Sequence, residues 1–177
     1  MNPKSNLALA VVEEEDEFLE QQRQYLTFRL GDESYALGLL SVKEIIEYGG
    51  VTQVPMMPPF VRGVINLRGR VVPVIDLAQR LRNETAAVTR RTCIVIVEVG
   101  PEDERLDMGV IVDAVSQVVE ILPEAIEPGP SFGARLRADF IAGMGKQDDG
   151  FVILLDIERV LLPDDMVGLN ELKSIAA

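Results

Sequence analysis

The chain has 177 residues, with 29 acidic against 17 basic side chains, a formal net charge of −12, no histidine and a single cysteine. That charge opposes attraction to nucleic-acid phosphates or anionic lipid, and the missing histidines remove Ser-His-Asp triads, Cys-His dyads and Cys/His zinc sites. The lone cysteine forbids a disulfide within the chain, which suits a reducing cytoplasm.

At 47% hydrophobic residues with a mean hydropathy of +0.17, the chain can bury a core as one domain or as two small intertwined ones. Aromatics are only 5% and tryptophan is absent, so Val, Ile and Leu must fill that core, which favours strands. In chain order, the apolar run from Leu7 to Val12 is far too short to cross a membrane and leads straight into Glu13-Glu-Glu-Asp-Glu17. Residues 1–22 are therefore predicted to be a solvated, disordered acidic tail. Strands are predicted over Tyr25 to Leu30 and Ser34 to Leu37. Leu39, Val42, Ile45 and Ile46 fall at helical spacing, so the segment from Leu39 to Glu47 reads as a short helix with one apolar stripe, frayed or followed by a strand. On that reading the stripe is core and Glu44 faces solvent.

The next stretch is the most informative of the chain: Phe60-Val-Arg-Gly-Val-Ile-Asn-Leu-Arg-Gly-Arg-Val-Val-Pro-Val-Ile-Asp-Leu77. Two apolar runs split by Arg68-Gly69-Arg70 read as strand, tight turn, strand. Pro73 cannot donate to a ladder, which predicts an edge strand or a bulge. Asp76 is placed to cap a short helix from Leu77 to Leu81. A strand from Thr92 to Val99 follows, in which Cys93 reads as a small core residue. Four more strands are predicted over Arg105 to Val112, Val118 to Leu122, Ile141 to Met144 and Val152 to Leu155. A last helix capped by Asp164 is predicted through Leu172.

The hairpin region repeats at an offset of 80 residues: Phe60, Val61 and Gly63 fall on Phe140, Ile141 and Gly143, and Val72, Val74, Ile75, Asp76, Leu77 and Leu81 on Val152, Leu154, Leu155, Asp156, Ile157 and Leu161. An offset of 73 places Val42, Ile45, Ile46 and Glu47 on Val115, Val118, Val119 and Glu120. Short strands at this spacing point to small barrels. The predicted division is a first β subdomain over 23–90, a second over 91–162, and a C-terminal helix or tail over 163–177.

No catalytic constellation emerges. Gly143-Met-Gly145 lacks the helix that a dinucleotide fingerprint opens, and no Gly-Lys-Ser/Thr run exists to cradle phosphate. The acidic clusters lack the ligand spacing of a calcium loop. Asp76 and Asp156 are a repeated pair that a hydrolytic or small-molecule-binding double barrel would use, although repeated helix caps account for them more simply. No cofactor, metal or catalytic residue is therefore expected. Arg68, at a turn, projects either into water or onto a partner. Phe132, in a loop of turn formers, either plugs a barrel end or anchors a protein contact.

The hairpin stretch, together with Tyr25-Leu-Thr-Phe-Arg-Leu-Gly31 and Val42-Lys-Glu-Ile-Ile-Glu47, closely resembles the CheW family, the adaptors of bacterial chemosensory arrays, and the likeness runs from about Gln24 to Leu162. The resemblance implies two five-stranded SH3-like barrels side by side, and a non-enzymatic cytoplasmic adaptor recruited to receptor arrays at the inner membrane. Its partners would be methyl-accepting chemoreceptors and a CheA-type histidine kinase, with no nucleic acid and no direct membrane insertion. By the same resemblance Arg68, Val42, Val115 and Val118 would meet the receptor. Glu44, Ile45 and Gly63 would meet the kinase, and Phe132 would form a second kinase interface. An adaptor of a parallel chemosensory system, controlling pili or surface behaviour, is the alternative within the family.

Overall fold

The computed structural model describes residues 14–129, 138–148 and 150–161. Residues 14–22 form a helix, α1, with every residue exposed, where a disordered tail was expected. Glu, Leu and Gln are good helix formers, and carboxylates in the first turn oppose the helix dipole favourably. The rest of the expected tail and the C-terminal segment 163–177 lie outside the described residues.

The remainder is mainly β. Strands β1 (Gln24–Leu30), β2 (Glu33–Gly38) and β3 (Val42–Glu47) are followed by β4 (Val61–Leu67), β5 (Arg70–Asp76), β6 (Cys93–Val99), β7 (Leu106–Val112) and β8 (Ala114–Glu120). The two-residue β9 (Ile126–Glu127), then β10 (Ile141–Gln147) and β11 (Gly150–Leu155), complete the set. Helices α2 (Leu77–Arg82) and α3 (Ile157–Leu161) follow β5 and β11. The strands form a six-stranded sheet in the order β8-β1-β2-β11-β10-β9 and a five-stranded sheet in the order β3-β6-β7-β5-β4. The architecture is SH3-like, but neither sheet closes into a full barrel among the described residues.

The predicted repeat is present in three dimensions, register included. In β4–β5, Val61 pairs with Ile75 and Gly63 with Val74 across a bulge; in β10–β11, Ile141 pairs with Leu155 and Gly143 with Leu154 across the same bulge. Asp76 N donates to Phe60 O at 2.7 Å and Asp156 N to Phe140 O at 2.8 Å. Thr27 faces Ala36 across β1–β2 as Ile96 faces Gly109 across β6–β7, and these hairpins join their sheets by equivalent parallel contacts, Ala36 to Leu154 and Gly109 to Val74.

These equivalences correct the predicted domain boundary. Strand for strand, β3-β6-β7-β5-β4 matches β8-β1-β2-β11-β10, and in each sheet the hairpin beside the bulged strand comes from the other half of the chain. The halves have exchanged their first hairpins, so a cut at residue 90 follows neither sheet. The main core is shared accordingly: Phe28, Tyr35 and Leu37 from one sheet and Ile94, Ile96, Met108 and Ile111 from the other are fully buried in one cluster. A smaller cluster, with Val119, Ile121, Val152 and Leu154, lies against the six-stranded sheet.

Two local expectations change. The segment after Gly38 is a 3-10 turn over Leu39–Ser41 followed by strand β3, not a helix. Lys43 is an extra residue in the β3–β6 ladder, between Val42 opposite Val97 and Glu44 opposite Ile96. Cross-strand partners share a face, so Val42 and Ile45, opposite Val97 and Val95, stand on one side three residues apart. The bulge reproduces a helical spacing inside a strand. Pro73 sits in an interior strand, paired with Val64 of β4, rather than at an edge; the parallel ladder to β7 begins only at Val74, so the missing N–H disrupts no pairing there.

Candidate functional site

The β4–β5 hairpin ends in a two-residue turn in which Arg68 has φ 51° and Gly69 φ 83°. Positive φ at both central positions is the turn whose twist matches the strands, and it places a non-glycine residue, Arg68, in the left-handed region. Asn66 Oδ1 accepts from Gly69 N at 2.8 Å and steadies the turn. Arg68 thus stands on a fixed support with its side chain 73% exposed.

Arg68 Nη2 donates to Glu44 Oε2 on β3 at 2.8 Å. At this exposure the pair contributes at most about 1 kcal/mol to stability. Glu44 is half-buried, not solvent-facing as the sequence suggested, because it shares the face of Ile96, and its Oε1 is buried with no hydrogen-bond partner. Beside this pair is a cleft of about 280 Å³ lined by Lys43, Glu44, Leu67, Arg68, Arg70 and Asp107. Asp107 is buried, and Lys43 and Arg70 both reach it, at 3.1 and 3.2 Å. Hydrogen bonding to Asp107 holds the Lys43 ammonium above its ordinary pKa. Glu98, 3.4 Å from Lys43, is drawn below the usual carboxylate range chiefly by its hydrogen bond from Arg105. The sequence reading missed this network, since its members lie on four different strands and a loop.

The remaining sequence-predicted residues fall in distinct settings. Ile45 is 42% exposed and Val118 50% exposed, both large apolar side chains in water. They are repeat equivalents on β3 and β8, and the bulge recurs: Val115 opposite Phe28 and Val118 opposite Leu26 share a face with Ser116 as the extra residue. Val42 and Val115 are half-buried beside them. Gly63 is buried, at φ 154°, and a Cβ there would lie 2.1 Å from Thr52 O. Its role is to admit the Thr52 backbone, which pairs with Val64 at 2.8 and 2.9 Å. Phe132 lies outside the described residues.

Asp76 and Asp156 each accept from the backbone of the helix that follows them. Asp76, 2% exposed, accepts from Gln79 N at 3.2 Å, from Arg62 Nη2 at 2.7 Å and from Ala86 N at 3.0 Å, so it caps α2 and is fully engaged. Arg62, which the sequence reading did not single out, also donates to Tyr48 Oη at 3.2 Å and Ala86 O at 3.2 Å. Asp156 accepts from Arg159 N at 3.3 Å, the equivalent capping bond.

The hairpin tip presenting arginine, the bulged strand beside it and a second, equivalent bulged strand all lie within one family match. The CheW-like domain model matches residues 24–163. The chain belongs to the CheW-like family. It is 35% identical over 144 residues to the chemotaxis protein CheW of Klebsiella aerogenes, covering 81% of this chain and 84% of that one. It is 36% identical over 138 residues to a probable CheW of Rhizobium etli, covering 78% and 86%. The crystal structure of the scaffolding protein TtCheW from Thermoanaerobacter tengcongensis superposes with a TM-score of 0.73 at 31% identity, over 81% of this chain and 90% of that one. As a CheW-like protein the chain is a scaffolding adaptor of chemotaxis signalling and not an enzyme. Among the described residues no helix is long and apolar enough to cross a membrane.

Proposed function

We propose that this CheW-like chain joins the cytoplasmic tips of methyl-accepting chemoreceptors to a CheA-type histidine kinase, in arrays at the inner membrane. The observation that carries the reading is the family match across nearly all of the folded chain, with the Asn66-Leu67-Arg68-Gly69 turn intact within it. Receptor contact is assigned to Arg68, Val42, Val115 and Val118, and kinase contact to Glu44 and Ile45. Gly63 supports the kinase surface from beneath, through the Thr52 backbone it admits. Phe132 is retained as a second kinase contact on resemblance alone.

Three features support the assignment. Arg68 offers a planar, exposed donor fork on a rigid turn, suited to carboxylates and backbone carbonyls. Ile45 and Val118 expose apolar area that docking would remove from water, at about 25 cal/mol per Å². Glu44, half-buried beside Arg68, offers a carboxylate that a partner's donor would meet with a charge-assisted hydrogen bond. The adaptor makes and breaks no bond; it holds two proteins on one body, and receptor rearrangement then biases the kinase.

The test is reconstitution with the host's kinase and receptors, reading kinase autophosphorylation. Arg68→Ala should weaken receptor-dependent stimulation while leaving the unfolding midpoint nearly unchanged. Undiminished stimulation in that variant would remove Arg68 from the receptor surface.

A further inference from the structure

Beside the shared core, one side chain bridges the roots of the two equivalent hairpins. The Arg80 guanidinium carbon lies 4.7 Å from the ring centre of Phe60 and 5.0 Å from that of Phe140, and Arg80 Nε donates to Val160 O at 3.0 Å. Phe60 and Phe140 are repeat equivalents, and so are positions 80 and 160. A symmetric pair of rings is therefore joined by a residue present in only one repeat. Each ring sits at the root of a hairpin: Phe60 O accepts from Asp76 N at the end of β5, and Phe140 O from Asp156 N just beyond β11. Arg80 thus touches the base of the hairpin that carries Arg68, the base of its counterpart in the other sheet, and α3.

We propose that Arg80 is a positioning residue that fixes the angle between the two sheets, and with it the relative placement of the receptor and kinase surfaces; this rests on the adaptor reading above. A planar, delocalised cation can stack on two rings at once while its Nε–H bonds a carbonyl, whereas a lysine ammonium supplies the charge without the plane or that bond. The guanidinium is half-buried and stacks on rings of which Phe140 belongs to the shared apolar core and Phe60 packs against it. Its loss should loosen orientation before it unfolds the chain.

The experiment uses the full chain with Cys93→Ser, spin-labelled at Val71→Cys and Phe151→Cys. These positions are exposed and repeat-equivalent, one in each sheet. Arg80→Met and Arg80→Lys are compared with the parent for inter-label distance distribution, for separate affinities to the kinase's regulatory domain and to receptor, and for receptor-dependent kinase stimulation. We expect a broadened distribution in Arg80→Met, unchanged separate affinities, a fall in stimulation of about fivefold or more, at the low end of ordinary coupling factors, and intermediate behaviour in Arg80→Lys. A distribution as narrow as the parent's in both variants overturns the proposal. So does a loss of stimulation matched by an equal loss of either affinity, which is what simple damage to the fold would give. If the parent itself gives no receptor-dependent stimulation while Arg80→Met still broadens the distances, the adaptor reading fails and the orienting role of Arg80 stands.

Discussion

Replacing Asp76 by alanine and replacing its repeat equivalent Asp156 by alanine should have very different costs, although both residues cap a short helix at the same point of the repeat. Loss of the cap costs about 1 kcal/mol at either site. At Asp76 the substitution also strips the acceptor from Ala86 N, in a residue only 8% exposed, which adds about 1–3 kcal/mol. Arg62, with a side chain 22% exposed, loses its counter-ion but keeps Tyr48 Oη and Ala86 O, so only part of the ~3–5 kcal/mol typical of a broken buried pair applies. The total for Asp76→Ala is about 3–5 kcal/mol. Asp156 has a side chain 36% exposed, and its contacts are both with Arg159, at 3.3 and 3.5 Å, so Asp156→Ala should cost about 1 kcal/mol. Urea unfolding of the two variants beside the parent, compared at equal slope, measures the difference directly. Equal losses at the two sites would refute the argument that Asp76 organises the Arg62–Ala86 loop. A hydrolytic activity abolished by both changes would revive the catalytic pair.

Gly63→Ala should destabilise by about 2–4 kcal/mol, because a Cβ meets backbone that cannot move without breaking the Thr52–Val64 bridge; a loss below about 1 kcal/mol in urea would show that the 51–52 segment yields freely. Burial, reinforced by Glu33, pushes the Tyr35 hydroxyl from its ordinary 10.0 to about 12. A raised folded pKa means that this stability is complete below pH 10 and is lost as pH rises toward 12. Tyr35→Phe should flatten the alkaline decline between those limits, and an unchanged decline would assign it to other groups. Ile45→Glu should weaken kinase binding at least about tenfold, about 1.4 kcal/mol, with little effect on stability, since the side chain is already 42% exposed; calorimetric titration with the kinase's regulatory domain checks this.

Much of the molecule was legible in the residues. The Arg68-Gly69 turn, the Asp76 cap and the 80-residue offset were all local or self-matching signals, and each reappears in the hydrogen bonds. The strand Val42–Glu47 was misread because a bulge at Lys43 places Val42 and Ile45 on one face at a helix-like interval. The hairpin exchange was invisible for another reason: Ala36 finds Leu154 across more than a hundred residues, and periodicity carries no information about which distant strand will pair. Arg62, Arg80 and Asp107 were not singled out, since their partners come from other elements. The equivalence of Phe60 and Phe140 was on view, but nothing in sequence says that two matched rings will face each other across a third residue.

The hairpin exchange also bears on how the protein is made. Strands β1 and β2 leave the ribosome well before β8 and β11, which flank them in the finished sheet. At ordinary elongation rates that leaves an apolar hairpin waiting on the order of ten seconds for its neighbours. During synthesis the nascent chain therefore exposes surface that invites chaperone capture, and the six-stranded sheet cannot close until β11 has emerged.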